Sequence, residues 1–296
     1  MTQNLAPALK RQWLAHLGLT LSFSAHGTQL VRTQRSGPLT VQKAFYPEGR
    51  DCAHVYILHP PAGIVSGDEL KVDIELTEDA HALVTTPGAN RFYRARDDHN
   101  IGAPEQRQTT QLQVANGAKC EHFPLETIVY EGAAAINRVD VHLHTDSVYL
   151  GWDISCLGLP SAQQPFEQGR FSQLTQIYCD GKIIYHDKVT INPNNQLQQH
   201  CAGLANNSVF ATFVAYAPAH ILSEPQRQQL IDTLRQSMQE HNAEHLISVT
   251  HIKQLLIMRY LGQHAEQCKQ LFIILWQQLR PLYIQKDGIQ PRIWHT

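Results

Sequence analysis

The chain has 296 residues, 43% of them hydrophobic, a formal net charge of −2 and a pI near 6.8. That length and apolar share build one large domain or two modest ones and argue against intrinsic disorder. The near-neutral balance, without a basic tract or an acidic tail, argues against nucleic acid or an anionic membrane as partner.

Residues 1–11 lack an apolar core of signal-peptide length, and the apolar run at 271–276 is too short to span a bilayer, so a cytoplasmic location is expected. The first two-thirds reads as β. Alternating or β-rich runs occur at 19–23, 28–33, 55–58, 70–76, 82–85, 109–114, 119–123, 134–144, 147–153, 171–179 and 182–189. Turn residues punctuate them at Gly49, Gly67, Gly88, Asn116-Gly117, Gly132 and Asp180-Gly181. The last third changes character. Ser223-Glu224-Pro225-Gln226 is a capping-box pattern, and Leu230, Ile231, Leu234 and Met238 share one helical face beyond it. A strand-like stretch at 246–261 precedes a second helix over 264–279. Leu271, Phe272, Leu275, Trp276 and Leu279 form the stripe of that helix, and Pro281 is expected to end it. The fold expected is mainly β: a sandwich, barrel or solenoid-like body over about 13–215, a helical cap with about two helices over about 220–285 and a tail at 286–296. No long linker divides it, so residues 1–296 read as a single domain. No internal period stands out.

The most informative ten residues are His59-Pro60-Pro61-Ala62-Gly63-Ile64-Val65-Ser66-Gly67-Asp68. Pro60 and Pro61 fix two successive φ angles, and Gly63 and Gly67 are the residues expected to take φ > 0. Such a turn holds His59 at one end and Asp68 and Glu69 at the other, either as a plain corner or as a presenter of acidic groups. The six cysteines (Cys52, Cys120, Cys156, Cys179, Cys201, Cys268) have no zinc-like spacing and read as small buried hydrophobes of a reducing compartment. Seventeen histidines are scattered. Only His142 and His144, on one face of an alternating stretch, suggest a transition-metal pair, and no third ligand lies nearby in sequence. The chain has no Gly-x-Ser-x-Gly elbow, Walker loop, Gly-x-Gly-x-x-Gly or His-Glu-x-x-His motif. An acid–base pair of Asp68 with Glu126 or Glu167 remains open.

Five further stretches accompany that turn. They are Gly37-Pro38-Leu39 with Phe45-Tyr46-Pro47-Glu48-Gly49; Thr85-Thr86-Pro87-Gly88-Ala89-Asn90-Arg91-Phe92-Tyr93-Arg94; and Phe123-Pro124-Leu125-Glu126-Thr127-Ile128-Val129-Tyr130-Glu131-Gly132. Next come Gly151-Trp152-Asp153-Ile154-Ser155-Cys156-Leu157-Gly158-Leu159-Pro160 with Phe166-Glu167-Gln168-Gly169-Arg170, and last Pro291-Arg292-Ile293-Trp294. In this order, from about Trp13 to the end, the chain closely resembles the urease accessory protein UreD (UreH) family. It departs from the family pattern at Ala62 and Ser66, where glycine is common, at Leu125, where Gln is common, and at Leu159, where Arg is common.

The resemblance implies a non-enzymatic maturation factor with a β-rich fold and C-terminal helices. It implies direct binding to UreF, contact with the GTPase UreG through UreF, and binding to apo-urease. With them the protein is expected to help deliver Ni²⁺ to the urease active site, an internal passage being the route the resemblance suggests. No permanently bound cofactor is implied, only Ni²⁺ in transit. Asp68, Glu126 and Glu167, with Glu69 and Asp153 as lesser candidates, are expected to border the nickel path, because carboxylates bind Ni²⁺ weakly enough to release it. Pro87 and Gly88, with the turn prolines and glycines, are structural. Arg91, Phe92, Tyr93 and Arg94, together with Arg292, Ile293 and Trp294, are docking candidates. Two other classes stand beside this one: a carboxylate-dependent hydrolase using the 59–68 turn and Glu126, and a nickel-storage protein using His142 and His144.

Overall fold

A computed structural model describes residues 13–98 and 102–295. In chain order its first strands are β1 (Leu14–Ser24), β2 (Gly27–Ser36), β3 (Thr40–Val41), β4 (Cys52–Leu58), β5 (Glu69–Leu76), β6 (His81–Thr85) and β7 (Asn90–Phe92). Next are β8 (Gln106–Val114), β9 (Lys119–Phe123), β10 (Thr127–Val129), β11 (Ala134–Leu143), β12 (Val148–Leu157), β13 (Arg170–Cys179) and β14 (Lys182–Ile191). Then come β15 (Val209–Tyr216), helix α1 (Glu224–Glu240), β16 (Ile247–Ile252), β17 (Leu255–Gly262) and helix α2 (Ala265–Tyr283). The expectation of a mainly β body with C-terminal helices is borne out.

The centre of the body is a coil of parallel strands. From β4 to β13 the chain passes back and forth between a ten-stranded and a seven-stranded sheet. Thus β4, β6, β9 and β12 run parallel in one sheet, and β5, β8, β11 and β13 run parallel in the other. Short strands β7 and β10 branch from the ten-stranded sheet and pair parallel with each other, β10 also with β12. Antiparallel strands close the ends: β2 beside β1, β14 beside β13, and β15, β17 and β16 in succession beyond β12.

Burial follows the layering. One face of the seven-stranded sheet meets water, so β5 alternates, with Leu70, Val72, Ile74 and Leu76 inward and Glu69, Lys71 and Glu75 outward. The ten-stranded sheet lies between the other sheet and the two helices. Its strands β4, β6 and β12 are therefore apolar on both faces and buried almost throughout.

Three sequence expectations need correction. The stretch at 246–261 is a hairpin, β16 and β17, turned at Lys253 with φ +55°. The run Val209–Tyr216, not expected as a strand, is β15. Pro281 does not end α2, which continues to Tyr283. A proline there costs only the bond to the Gln277 carbonyl, two residues from the end. The flanking turns are anchored regardless: Trp276, Leu279, Arg280 and Tyr283 are all buried.

Arg280 pins that helix to the sheet. Its guanidinium is fully enclosed and bonds Glu121 (Nε to Oε2, 3.0 Å), Glu48 (Nη2 to Oε1, 2.8 Å) and the carbonyl of Asp287. The Trp276 indole also donates to Glu121 (2.7 Å). Burial alone would push both carboxyls up. Hydrogen bonds from His54 and Arg280 outweigh it and hold Glu48 at about 2, and His81 with Arg280 holds Glu121 below its ordinary value. Beyond this cluster Trp294 packs with Phe123, Trp152 and Trp276 and donates to Thr85 Oγ1 (2.8 Å).

Candidate functional site

The 59–68 turn leads from β4 to β5 and is more specified than its sequence suggests. The Ala62 N–H donates to the His59 carbonyl (2.9 Å), and Ala62 itself takes φ +63°. Gly67 also has positive φ, +87°, whereas Gly63 does not. The expectation that Gly63 carries a left-handed conformation is therefore corrected. Gly63 is required for closeness: a Cβ there would fall within the Tyr93 ring, which packs at a tilt against Tyr130, centroids 5.1 Å apart. Gly88 is exposed, and space around it is open. A buried glutamine staples the turn. Gln106 donates from Nε2 to the carbonyls of Ile64 and Tyr93 (2.8 and 2.7 Å), while Oε1 accepts from the Ala134 N–H (3.1 Å).

Asp68 is buried and caps its own turn, Oδ2 accepting from the Val65 N–H (3.0 Å). Burial raises its carboxyl above the ordinary value, against the Val65 N–H, His59 and Arg96. Burial likewise lowers His59, and the Asp68 charge opposes that.

Behind this turn a cavity of about 310 Å³ opens between the two sheets. Its mouth is formed by His59 and Ala62 on one side and by Pro87, Gly88, Asn90 and Arg91 on the other. Its interior wall is unusually polar for a sandwich core: Gln108 and Thr110 from β8, Asn137 from β11, His122 from β9, Thr127 from β10 and Asp153 from β12. Strand alternation puts them there. Cys120 and His122 share a face of β9, and Tyr149, Gly151 and Asp153 share a face of β12. Enclosure pushes the Asp153 carboxyl up to about 6; a hydrogen bond from Thr175 Oγ1 (2.9 Å) opposes the shift and the Asp187 charge adds to it. Burial pushes His122 down to about 4, so its imidazole is neutral at physiological pH. Asp153 also lines a second, smaller cavity of about 20 Å³ with Ser155, Gln173, Thr175 and Asp187. Asp187 in turn accepts from Tyr185 Oη and Arg259 Nη2, both at 3.0 Å, on the far side.

The five sequence-predicted carboxylates do not converge. Only Asp153 lines the central cavity; Asp68 sits beside its mouth through His59. Glu69 faces water from the outer side of β5. Glu126 lies close enough to Cys156 and Cys268 for its charge to raise their thiols, which places it towards α2. Glu167 is exposed in a separate surface groove with Gln168, Asn192 and Gln196, its N–H bonded to Glu131 Oε2 (2.6 Å). The path drawn through Asp68, Glu126 and Glu167 is thus not one lined space.

The remaining candidates are also placed. His142 stacks on Tyr178 (4.8 Å) on the outer sheet face, and His144, one residue past the end of β11, is exposed and 4.0 Å from Asp180. Phe92 is in the inter-sheet core and Trp294, 8% exposed, is in the aromatic cluster, so neither is offered to a partner. Arg94 and Arg292 are exposed, Ile293 half-buried. Pro60 and Pro61 are exposed at the turn. Cys201 is exposed and Cys179 partly so; the other four cysteines are buried as expected. His122, Asn137 and Thr110 escaped the sequence reading, although two-residue alternation with Cys120, Ala135 and Leu112 marks all three as inward-facing.

Two further sets of potential metal donors lie deep in the fold: Glu48, Cys52 and His54, and Cys52, His81 and Glu121. The Arg280 guanidinium already occupies the cation position between their carboxylates, so they form a salt-bridged pin.

The family model described as UreD urease accessory protein matches residues 14–295. The urease accessory protein UreD of Psychromonas ingrahamii is 57% identical over 293 residues, covering 97% of this chain and 95% of that one. The UreD of a Marinomonas species is 40% identical, covering 96% of this chain and 90% of its own length. UreD 2 of Brucella anthropi is 37% identical, with 96% and 98% covered. Coverage this complete, with every quoted motif inside it, means that the chain belongs to the UreD family of urease accessory proteins and is an accessory protein rather than an enzyme.

Proposed function

We propose that this chain is a cytoplasmic urease maturation factor that binds apo-urease and, with UreF and the GTPase UreG, helps deliver Ni²⁺ to the urease active site by way of its interior. The observation carrying this reading is the polar cavity between the sheets, bounded by Asp153, with a second small cavity beyond the same carboxylate. A hydrated cation entering there exchanges water for oxygen and nitrogen donors, which offsets its loss of hydration. Those donors hold Ni²⁺ less tightly than thiolates would, which suits handover. Among the described residues no helix is long and apolar enough to cross a membrane. Exposed Arg94 and Arg292 are the docking contacts this reading offers to UreF.

The test is reconstitution from apo-urease, Ni²⁺, bicarbonate, GTP, UreF and UreG, with the chain, without it, and with Asp153→Ala. Activation that needs the chain and falls at least tenfold in the variant supports delivery through the cavity. Full activation without the chain overturns the reading. Loss of UreF copurification in Arg94→Glu or Arg292→Glu locates the docking face; unchanged capture by both moves it elsewhere.

A further inference from the structure

We infer that His122, Asn137 and Asp153 together form a resting site for one divalent cation at the centre of the inter-sheet cavity. The inference rests on the nickel-delivery reading above and names the residues of this chain that hold the ion midway.

Two polar groups in the cavity wall lack partners. His122 is 6% exposed, and its ring makes no hydrogen bond among the described residues. Asn137 is 5% exposed; its Nδ2 donates to Gln173 Oε1 (2.9 Å), and its Oδ1 accepts from nothing. Buried polar groups in folded proteins are paired in the great majority of cases, so the orphaned Asn137 oxygen, in a cavity wall that also holds an unbonded imidazole and a carboxylate, needs a reason.

The hydrogen-bond directions give one. Asp153 Oδ2 accepts from Thr175 Oγ1 (2.9 Å). Thr175 Oγ1 in turn accepts from Gln173 Nε2 (3.4 Å), which turns Gln173 Oε1 towards Asn137. Asn137 must then present its NH₂ group to Gln173, and its carbonyl oxygen is left as an acceptor. A chain of four side chains, running from β12 through β13 to β11, therefore leaves Asn137 with an unclaimed amide oxygen in the wall of the same cavity as the carboxylate that orders it. A neutral imidazole, an amide oxygen and one carboxylate are ligands for a first-row divalent ion, with no thiolate to trap it and only one negative charge to retain it. At about 30 Å³ per water, the cavity of about 310 Å³ also has room for waters completing the coordination shell. Among the cationic side chains only Arg91 lines this cavity, and it stands at the mouth. The centre is thus unoccupied by a fixed positive charge, in contrast to the Cys52–His81–Glu121 set that Arg280 fills.

The test is Ni²⁺ titration of the full chain by calorimetry, with X-ray absorption on the loaded protein. One ion with nitrogen and oxygen donors and no sulfur is expected. His122→Asn and Asn137→Leu weaken binding at least tenfold, while Asn137→Asp, which adds a charge, tightens it at least tenfold. The tightened variant keeps the test decisive even if a weakened one folds poorly. Wild-type affinity in His122→Asn and Asn137→Asp, or sulfur in the shell, overturns the site. Urease activation read in parallel separates the two claims. A dispensable chain overturns delivery, whereas a required chain whose variants bind nickel like wild type overturns this site alone.

Discussion

Replacing Arg280 with methionine keeps the length of the side chain and removes the one guanidinium set between Glu48 and Glu121. Both carboxylates are almost wholly enclosed, and so is the guanidinium, so their charges cannot be resolvated in place. Removing one partner from a buried ionic cluster costs about 3–5 kcal/mol. The depressed Glu48 carboxyl gives a second figure. Holding the Glu48 carboxyl at about 2, against an ordinary 4.5, corresponds to about 3 kcal/mol of stability. A depressed carboxyl contributes fully above its unfolded value and loses that contribution as pH falls from near 5 towards 2. Glu121, also depressed, adds in the same sense. Arg280→Met should therefore lose about 3–5 kcal/mol near neutral pH, and its stability should depend less steeply on acid than that of the wild type. Urea unfolding followed by tryptophan fluorescence reports directly, since Arg280 lies over the Trp276 ring at 5.2 Å. A loss under about 1 kcal/mol at about pH 7, or parallel acid profiles for the two proteins, would refute the pinning role.

Four other substitutions probe the turn and the cavity. Ala62→Gly should stabilise by about 0.5–1 kcal/mol in thermal or urea unfolding, because alanine holds φ +63° only with strain. Gly63→Ala should cost about 2–4 kcal/mol by displacing Tyr93 from Tyr130, and Tyr93→Ala in the same chain should recover part of it; additive losses would contradict this. Gln106→Leu strips one donor pair and one acceptor from three buried or part-buried backbone groups and should cost about 3 kcal/mol, with faster hydrogen exchange at Ala134. Asp153→Asn should raise stability by about 2 kcal/mol above pH 6 and leave it nearly unchanged below pH 4. A carboxyl held near 6 favours folding when protonated and loses that advantage as pH rises through its folded value; a variant equally stable at both ends would show Asp153 to be solvated like a surface acid.

What the sequence revealed of this fold depended on how each strand is wetted. The seven-stranded sheet keeps one face in water, so Leu70, Val72, Ile74 and Leu76 alternate with charges and could be read directly. The ten-stranded sheet is covered twice. Val209 to Tyr216 therefore shows a nearly continuous apolar run with no period, and the strand went unread. Three-residue strands such as Asn90–Phe92 owe their conformation to parallel neighbours distant in sequence, which no local pattern encodes. The site divides in the same way. Turn-rich motifs marked Asp68 and Asp153 as worth attention, but the type of residue does not state its direction. Glu126 sits next to cavity-lining Thr127 yet lies towards Cys156 and Cys268. His122 and Asn137 stood in strands already recognised, and their inward parity with Cys120 and Val139 was the available signal.

The clasp between Glu48 and Arg280 joins residues 232 positions apart. During synthesis at about 5–20 residues per second, Glu48 waits about 10–50 s for its guanidinium to be made. Until then the outer face of the ten-stranded sheet, later roofed by α2, is greasy, carries an uncompensated acid and borders unfinished strand edges. A nascent polypeptide in that condition invites association with its neighbours, and its yield in the cell should respond to holdase chaperones and to slower growth temperatures more than its finished stability would suggest.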